Sequence, residues 1–277
     1  MGAVAIAVAY LPVVHAVLTL GRGDPYYGYL GLVLPVFAVM LWASRDRRAT
    51  VAGRGHRLGV ALVLLAFLLL ALGRWESSLQ LQSLSLVVAV AGAGVWLRGV
   101  DWVRATAFPL AFLLFLVPVP RGLFDAVTLD VQRFVARHAG AMLQSFGVPV
   151  RLEEIAIHLP GVTLEIVEGC NGLRFLMGLV VLMAGTAGLL VSSATGRALL
   201  VALAVPAALA ANVVRITALG LAAYWFGPDA AQGGPHDIIG KTVWAATILS
   251  LVLVAWRLGR RRDTAPALGQ HARVASR

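Results

Sequence analysis

A single cysteine, Cys170, stands in the 277 residues, so an intramolecular disulfide and any CxxC or multi-cysteine metal site are excluded. Charge is scarce too: 13% of residues are Asp, Glu, Lys or Arg, about half the share a soluble domain carries. No glycine pattern of the P-loop or dinucleotide-binding kind follows a strand-like run, and no Cys/His cluster has ligand spacing, so no metal, nucleotide or redox cofactor is expected. The chain shows no internal repeat, its halves differing in charge and span length. What it has in abundance is apolar surface: 60% hydrophobic residues and a mean hydropathy of +0.85, which place it in a membrane. A formal charge of +10 would point to nucleic acid in a soluble protein. Here the basic residues lie between apolar runs, and the positive-inside bias accounts for them without a nucleic-acid partner.

A spanning helix needs roughly 20 apolar residues, fewer where its ends snorkel. Eight runs qualify, at about residues 3–20, 27–43, 58–73, 83–97, 105–118, 171–191, 198–225 and 238–256. The first lacks a basic n-region and reads as a retained helix rather than a cleaved signal. Loops on the side of both termini hold 14 basic and 3 acidic residues, those on the other side 6 basic and 10 acidic, so both termini are expected in the cytoplasm. A membrane-impermeant thiol reagent should therefore reach a cysteine placed at Gln232 in intact cells, and one placed at Thr50 only after permeabilisation. The reverse pattern would invert the topology.

This layout leaves one long outer segment, 119–169. Apolar residues at helical spacing from Leu123 to Phe146 (Val127, Val131, Phe134, Val135, Ala139, Met142, Leu143) predict a helix lying on the outer surface. From Val148 to Ile166 the period changes: Ile155, Ile157 and Leu159 alternate, Pro160-Gly161 signals a turn, and Val162, Leu164 and Ile166 follow. A small β-hairpin packed on the membrane helices is the expectation. The fold class is an all-α polytopic bundle of about eight transmembrane helices with a small extracytoplasmic α/β cap between helices 5 and 6.

Ionisable groups at spans are functional candidates by default, and three sites stand out, all toward the outer side. In Glu168-Gly169-Cys170-Asn171-Gly172-Leu173-Arg174, the thiol is near a helix N-terminus with Arg174 one turn on, and both effects favour the thiolate. In Ala211-Asn212-Val213-Val214-Arg215-Ile216, Arg215 lies about 15 Å below an outer end near Trp225, with Asn212 on the same face. In Gly233-Gly234-Pro235-His236-Asp237, a histidine stands at the entry of the last span. Taken singly, Cys170 also reads as a small buried hydrophobe, Arg174 as a snorkelling anchor, Arg215 as a structural cation and His236 as an interfacial residue. Their placement by one independent charge count in the same leaflet of three consecutive spans argues for a common site. His15, His56, His138, His158 and His271 lack such company.

These stretches, with Pro118-Val119-Pro120-Arg121, Gly147-Val148-Pro149-Val150, Leu159-Pro160-Gly161 and Gly234-Pro235-His236, resemble the exosortase and archaeosortase family of multi-pass membrane cysteine transpeptidases. The ordered motifs cover about residues 105–256; the first four spans match in hydropathy. The resemblance implies a catalytic set of Cys170, Arg215 and His236, supported by Arg174, Asn171, Asn212 and Glu168. It also implies a substrate class: exported proteins with a C-terminal sorting signal of PEP-CTERM type, made of a Pro-containing motif, a transmembrane helix and a basic cytoplasmic end, in bacteria that make exopolysaccharide. Asn171 stands where the family usually has Ser or Ala, and Lys241 where an aromatic residue is expected. The domains read as a four-helix membrane region, 1–104, a catalytic membrane core, 105–257, and a basic cytoplasmic tail, 258–277. The chain belongs, on this view, in the inner (cytoplasmic) membrane with its site on the extracytoplasmic side.

The chemistry stands without the name. A thiolate attacks a peptide carbonyl, a cation or donors hold the oxyanion, and an acid protonates the leaving amine. The thioester on Cys170 is then resolved by water or by an acceptor, with a polysaccharide or lipid-linked group among the candidates. The partners expected are the exported protein, the lipid bilayer and such an acceptor, with no nucleic acid. A second class of reading is a transporter or flippase for an anionic lipid or glycan with Arg174 and Arg215 as its binding site; a third is a non-catalytic partner in surface-polymer assembly.

Overall fold

The computed structural model describes residues 2–45, 55–166 and 172–260. Among the described residues there are ten α-helices: α1 (Gly2–Gly23), α2 (Leu30–Ala43), α3 (Arg57–Trp75), α4 (Leu79–Arg98), α5 (Val100–Ala105), α6 (Ala107–Phe112), α7 (Arg121–Ser145), α8 (Leu173–Leu190), α9 (Ala194–Phe226) and α10 (Gly233–Arg260). Among the described residues seven helical stretches are long and apolar enough to cross a membrane, or eight if the bent pair Ala107–Leu116 and Arg121–Ser145 counts as a span. The chain is a multi-pass, all-α membrane protein with one small sheet. Side-chain caps start several helices at the polar boundaries: His56 accepts from Leu58 N at 3.0 Å, Ser78 from Leu81 N at 3.3 Å and Ser193 from Gly196 N at 3.1 Å.

The expected fifth span, 105–118, is not one continuous helix. It runs as α6, a 3-10 turn at Leu113–Leu116 and an extended stretch, then turns through 84° into α7. Pro118 and Pro120 remove backbone donors and fix φ, so the helix cannot continue through them. The segment still travels the height of its neighbour. Phe108 lies beside Met40 and Gly188, Phe112 beside Val36 and Gly185, the Tyr27 hydroxyl donates to Val119 O at 2.7 Å, and Arg121 meets Asp24 at 2.9 Å. From Met40 to Asp24 is roughly 25 Å along α2 and its leading turn, most of a hydrocarbon core. Non-helical backbone at that depth is tolerated because it is enclosed by protein, with Leu113 and Leu116 fully buried among α1, α2, α4 and α8.

Both described ends of the chain lie away from the sheet. Ile6 shares a cavity wall with Leu97, Arg98 and Trp102, and Gly259 packs on the Leu190 carbonyl. This far end also carries Arg197, which donates to Val191 O at 2.7 Å and stacks over Phe108.

At the opposite end sits the cap. The expected hairpin is present as β2 (Ala156–Leu159) and β3 (Val162–Glu165), closed at Pro160-Gly161 with Gly161 at φ +80°, the conformation glycine supplies at the second centre of a type II turn. The hairpin reading is incomplete, because a third strand, β1 (Arg151–Glu153), pairs antiparallel with β2. It is an exposed polar edge, held by an Arg151–Glu153 ion pair; that hydrogen bond, then the Arg151 charge, keeps the exposed Glu153 carboxyl below its ordinary value. Ile157, Leu159 and Ile166 pack with Val135, Ala139 and Leu143 of α7 and with Val213, Ile216 and Leu219 of α9. Of the apolar residues expected on one face of α7, Val127 and Phe134 are exposed while Val135, Ala139 and Leu143 are buried, so the helix has an inner face on the cap and an outer apolar one. Gln132, buried, donates to Ile166 O at 2.7 Å and ties the residue that follows β3 to α7.

Candidate functional site

The site is built where α8, α9 and α10 meet beneath the cap. α9 has 33 residues, about 50 Å, against a hydrocarbon core of about 30 Å. Its last turns are therefore covered by the cap rather than by lipid, and Ala231 of the following 3-10 turn joins the same buried cluster. Arg215 and Asn212 are buried at 6% and 4% exposure, among protein groups. By sequence Arg215 lies about 15 Å below the outer end of its helix; in the fold its side chain reaches across to α10.

There Arg215 Nη2 lies 2.6 Å from His236 Nε2, and His236 Nδ1 lies 3.2 Å from the Ala231 carbonyl. A guanidinium has donors and no acceptor, so Nε2 accepts and Nδ1–H donates to the carbonyl. Hydrogen-bond chemistry thus assigns a neutral imidazole with its lone pair aimed at the cation. One turn along, Gly240 leaves the space: a Cβ there would stand 3.1 Å from Arg215 Nε. Gly240→Ala is expected to be mild and Gly240→Val to push the guanidinium off His236. The variant should insert normally, since this part of α10 is largely exposed, and should behave in a functional assay as an Arg215 variant is expected to. An active Gly240→Val protein would show that the guanidinium's place does not matter.

Gly172 caps α8 at φ +84°, and a Cβ on it would stand 2.9 Å from Asn212 Cγ. Any other residue would suffer both a left-handed backbone and a collision, so glycine is required for α8 to start against Asn212. Phe175, in the first turn, presents its ring to two cations: Arg215 Cζ is 5.5 Å and Arg174 Cζ 4.9 Å from the ring centroid. Trp244 backs that ring at 6.0 Å. Arg174 Nε is buried without a hydrogen-bond partner among the described residues. Beside these groups opens a cleft of about 480 Å³ that runs from Arg174, Arg215, His236 and the exposed Lys241–Asp237 pair to Trp244, Ala245 and Ile248.

Of the residues singled out in the sequence, the structure brings Arg174, Asn212, Arg215 and His236 around one cleft and its floor. Cys170, Asn171 and Glu168 lie outside the described residues, as do 261–277 of the basic tail; the described chain resumes at Gly172, two positions on from Cys170. Phe175 and Gly240 were not expected. A glycine inside a helix costs about 1 kcal/mol relative to alanine, and Gly240 four residues after His236 was the available signal.

The sequence model of the family described as transmembrane exosortase matches residues 21–256. No curated protein and no solved structure matches the chain.

Proposed function

Since the chain belongs to the transmembrane exosortase family, multi-pass membrane proteins that process sorting signals, we propose that it is a cysteine transpeptidase or protease cleaving C-terminal, PEP-CTERM-like signals of exported proteins. The reaction is placed at the extracytoplasmic face of the inner membrane, with both termini in the cytoplasm, and is tied to surface-protein anchoring or exopolysaccharide. The observation that carries this reading is the 2.6 Å contact between the buried Arg215 guanidinium and the His236 imidazole, beside the glycine two residues after the lone cysteine.

The roles follow from what each group can give. Cys170 Sγ attacks the scissile carbonyl, forming a C–S bond and an oxyanion that Arg215 stabilises. The thiol proton goes to His236 Nε2, the only ring nitrogen with a lone pair while Nδ1–H is held by Ala231 O. The C–N bond then breaks, His236 returns the proton to the leaving amine, and a thioester remains on Cys170 for water or an acceptor group. At rest Arg215 occupies the His236 lone pair, so the guanidinium must turn toward substrate before the imidazole can take a proton. Asn212 and Gly172 hold the start of α8, and Arg174 supplies a cation to the cleft. Glu168 and Asn171 are the remaining candidates for support.

In cells producing a tagged exported protein with such a signal, the wild-type chain should yield a shortened product and Cys170→Ser none. Equal processing by Cys170→Ser would return Arg174 and Arg215 to the ligand site of a transporter or flippase, or the chain to a scaffolding role.

A further inference from the structure

α10 is a 28-residue helix whose buried residues, among those described, are Leu251 and Ala255. Both pack with α8 and α9 in the half far from the sheet, in the cluster of Leu179, Met183, Leu200 and Ala204. The near half, below His236, has a largely exposed side, with Asp237, Lys241 and Ala245 all exposed. Asp237, Lys241, Ala245 and Ile248 recur there at spacings of four, four and three, so they form one stripe along the helix. That stripe and the α8 pair Arg174–Phe175 are the walls of the 480 Å³ cleft. The cleft thus joins the Arg215–His236 pair to an apolar furrow in a single unbroken space.

We propose that this furrow is the lane in which the transmembrane helix of the substrate lies while the peptide just ahead of that helix is held at Arg215 and His236. The inference rests on the reading of the chain as a sorting-signal peptidase, and adds where on the bundle the substrate docks. Three features select a helix as occupant. The stripe is straight and about 17 Å long from Asp237 to Ile248, the length of three helical turns rather than of a compact head group. It is small where a backbone must approach, at Ala245, as in packed membrane helix pairs, where close approach replaces the missing hydrophobic drive. Its polarity runs in one order: Arg174, Arg215 and Lys241 against the single carboxylate of Asp237 at the sheet end, then Trp244, Ala245 and Ile248. A chain that carries acidic residues immediately before an apolar run complements that order. Continuity matters too, because a helix seated here delivers its leading peptide to the paired Arg and His without crossing another element.

The test compares two substrates on the full-length enzyme in membranes: the helix-anchored protein, and a short soluble peptide containing only the cleaved motif. Ala245→Trp fills the furrow three residues above Ile248 and well below the Arg215–His236 pair. It should lower cleavage of the anchored protein about tenfold and leave cleavage of the soluble peptide unchanged, which also shows that the variant is folded. A photo-crosslinking residue at Ile248 should capture the anchored substrate, and one at the exposed Ala246, on another face of α10, should not. Unchanged cleavage of the anchored protein, or an equal fall for both substrates, would overturn the lane. Capture of a phospholipid at Ile248 in the presence of substrate would also overturn it and make the furrow a lipid site. If the wild-type enzyme cleaves neither substrate, the peptidase reading itself fails, a result distinct from failure of the lane alone.

Discussion

Arg215→Lys is expected to lower kcat by about a hundredfold or more, with KM for the substrate protein nearly unchanged. The charge is kept, so what the variant removes is geometry. Arg215 is fixed from three sides: His236 at 2.6 Å, the bare Cα of Gly240, and the Phe175 ring at 5.5 Å. Those contacts fit a planar fork that can turn from the imidazole to an oxyanion while staying stacked on the ring. A lysine ammonium is a point charge on a flexible stem, strongly hydrated, and brings no second donor to the carbonyl oxygen. Loss of one donor to a developing oxyanion typically costs a factor of about 10² to 10³ in the chemical step. Binding should survive, because the furrow and Arg174 are untouched. A rise in KM at constant kcat would instead make Arg215 a substrate-binding cation, and full activity would remove it from the catalytic set. Measurement of single-turnover rates on the anchored substrate separates these outcomes.

The spans were legible because each is a continuous apolar run closed by charge, and membrane physics admits few alternatives to a helix there. The fifth was legible as a crossing but not in form: Pro118 at the end of the run and Pro120 just beyond it stop the helix, and hydropathy does not register it. β1 escaped notice because Arg151-Leu152-Glu153 is an exposed edge whose burial does not alternate, whereas β2 and β3 announce themselves by alternation and a Pro-Gly turn. At the site, a polar residue in an apolar span is visible from its own position. Its partner is not, because Arg215 and His236 are 21 positions apart and meet only through the α9–α10 reversal. Their pairing was available from the family resemblance and from a shared leaflet, and from nothing in the local periodicity. The aromatic residue between Arg174 and Arg215 was hidden for the opposite reason: in a chain with 60% hydrophobic residues, one more phenylalanine carries no signal until its neighbours are known.

A covalent intermediate on Cys170 is the result on which the proposed chemistry depends. With the anchored substrate present and the acceptor withheld, the enzyme should accumulate a species heavier by the N-terminal portion of the cleaved protein. That adduct should be released by hydroxylamine, as a thioester is, and should be absent from Cys170→Ala, which should also cease to cleave. The thiol's position in sequence, three residues before a helix that begins at Leu173 and one turn before Arg174, favours the thiolate through the helix dipole and a nearby cation. Alkylation of Cys170 is therefore expected to persist at mildly acidic pH, where an ordinary thiol of pKa about 8.5 is almost wholly protonated. Arg215→Lys should change this alkylation little while slowing adduct formation, which separates activation of the thiol from stabilisation of the oxyanion. His236→Gln should slow adduct formation as well, because the amine would leave without its acid. Cleavage with no adduct in the wild type, under conditions that trap thioesters, would mean that water attacks directly. Continued cleavage by Cys170→Ala would remove the cysteine from the reaction altogether, leaving Arg174 and Arg215 as two cations around one aromatic ring in a membrane cleft, an arrangement then better explained by an anionic ligand than by a peptide bond.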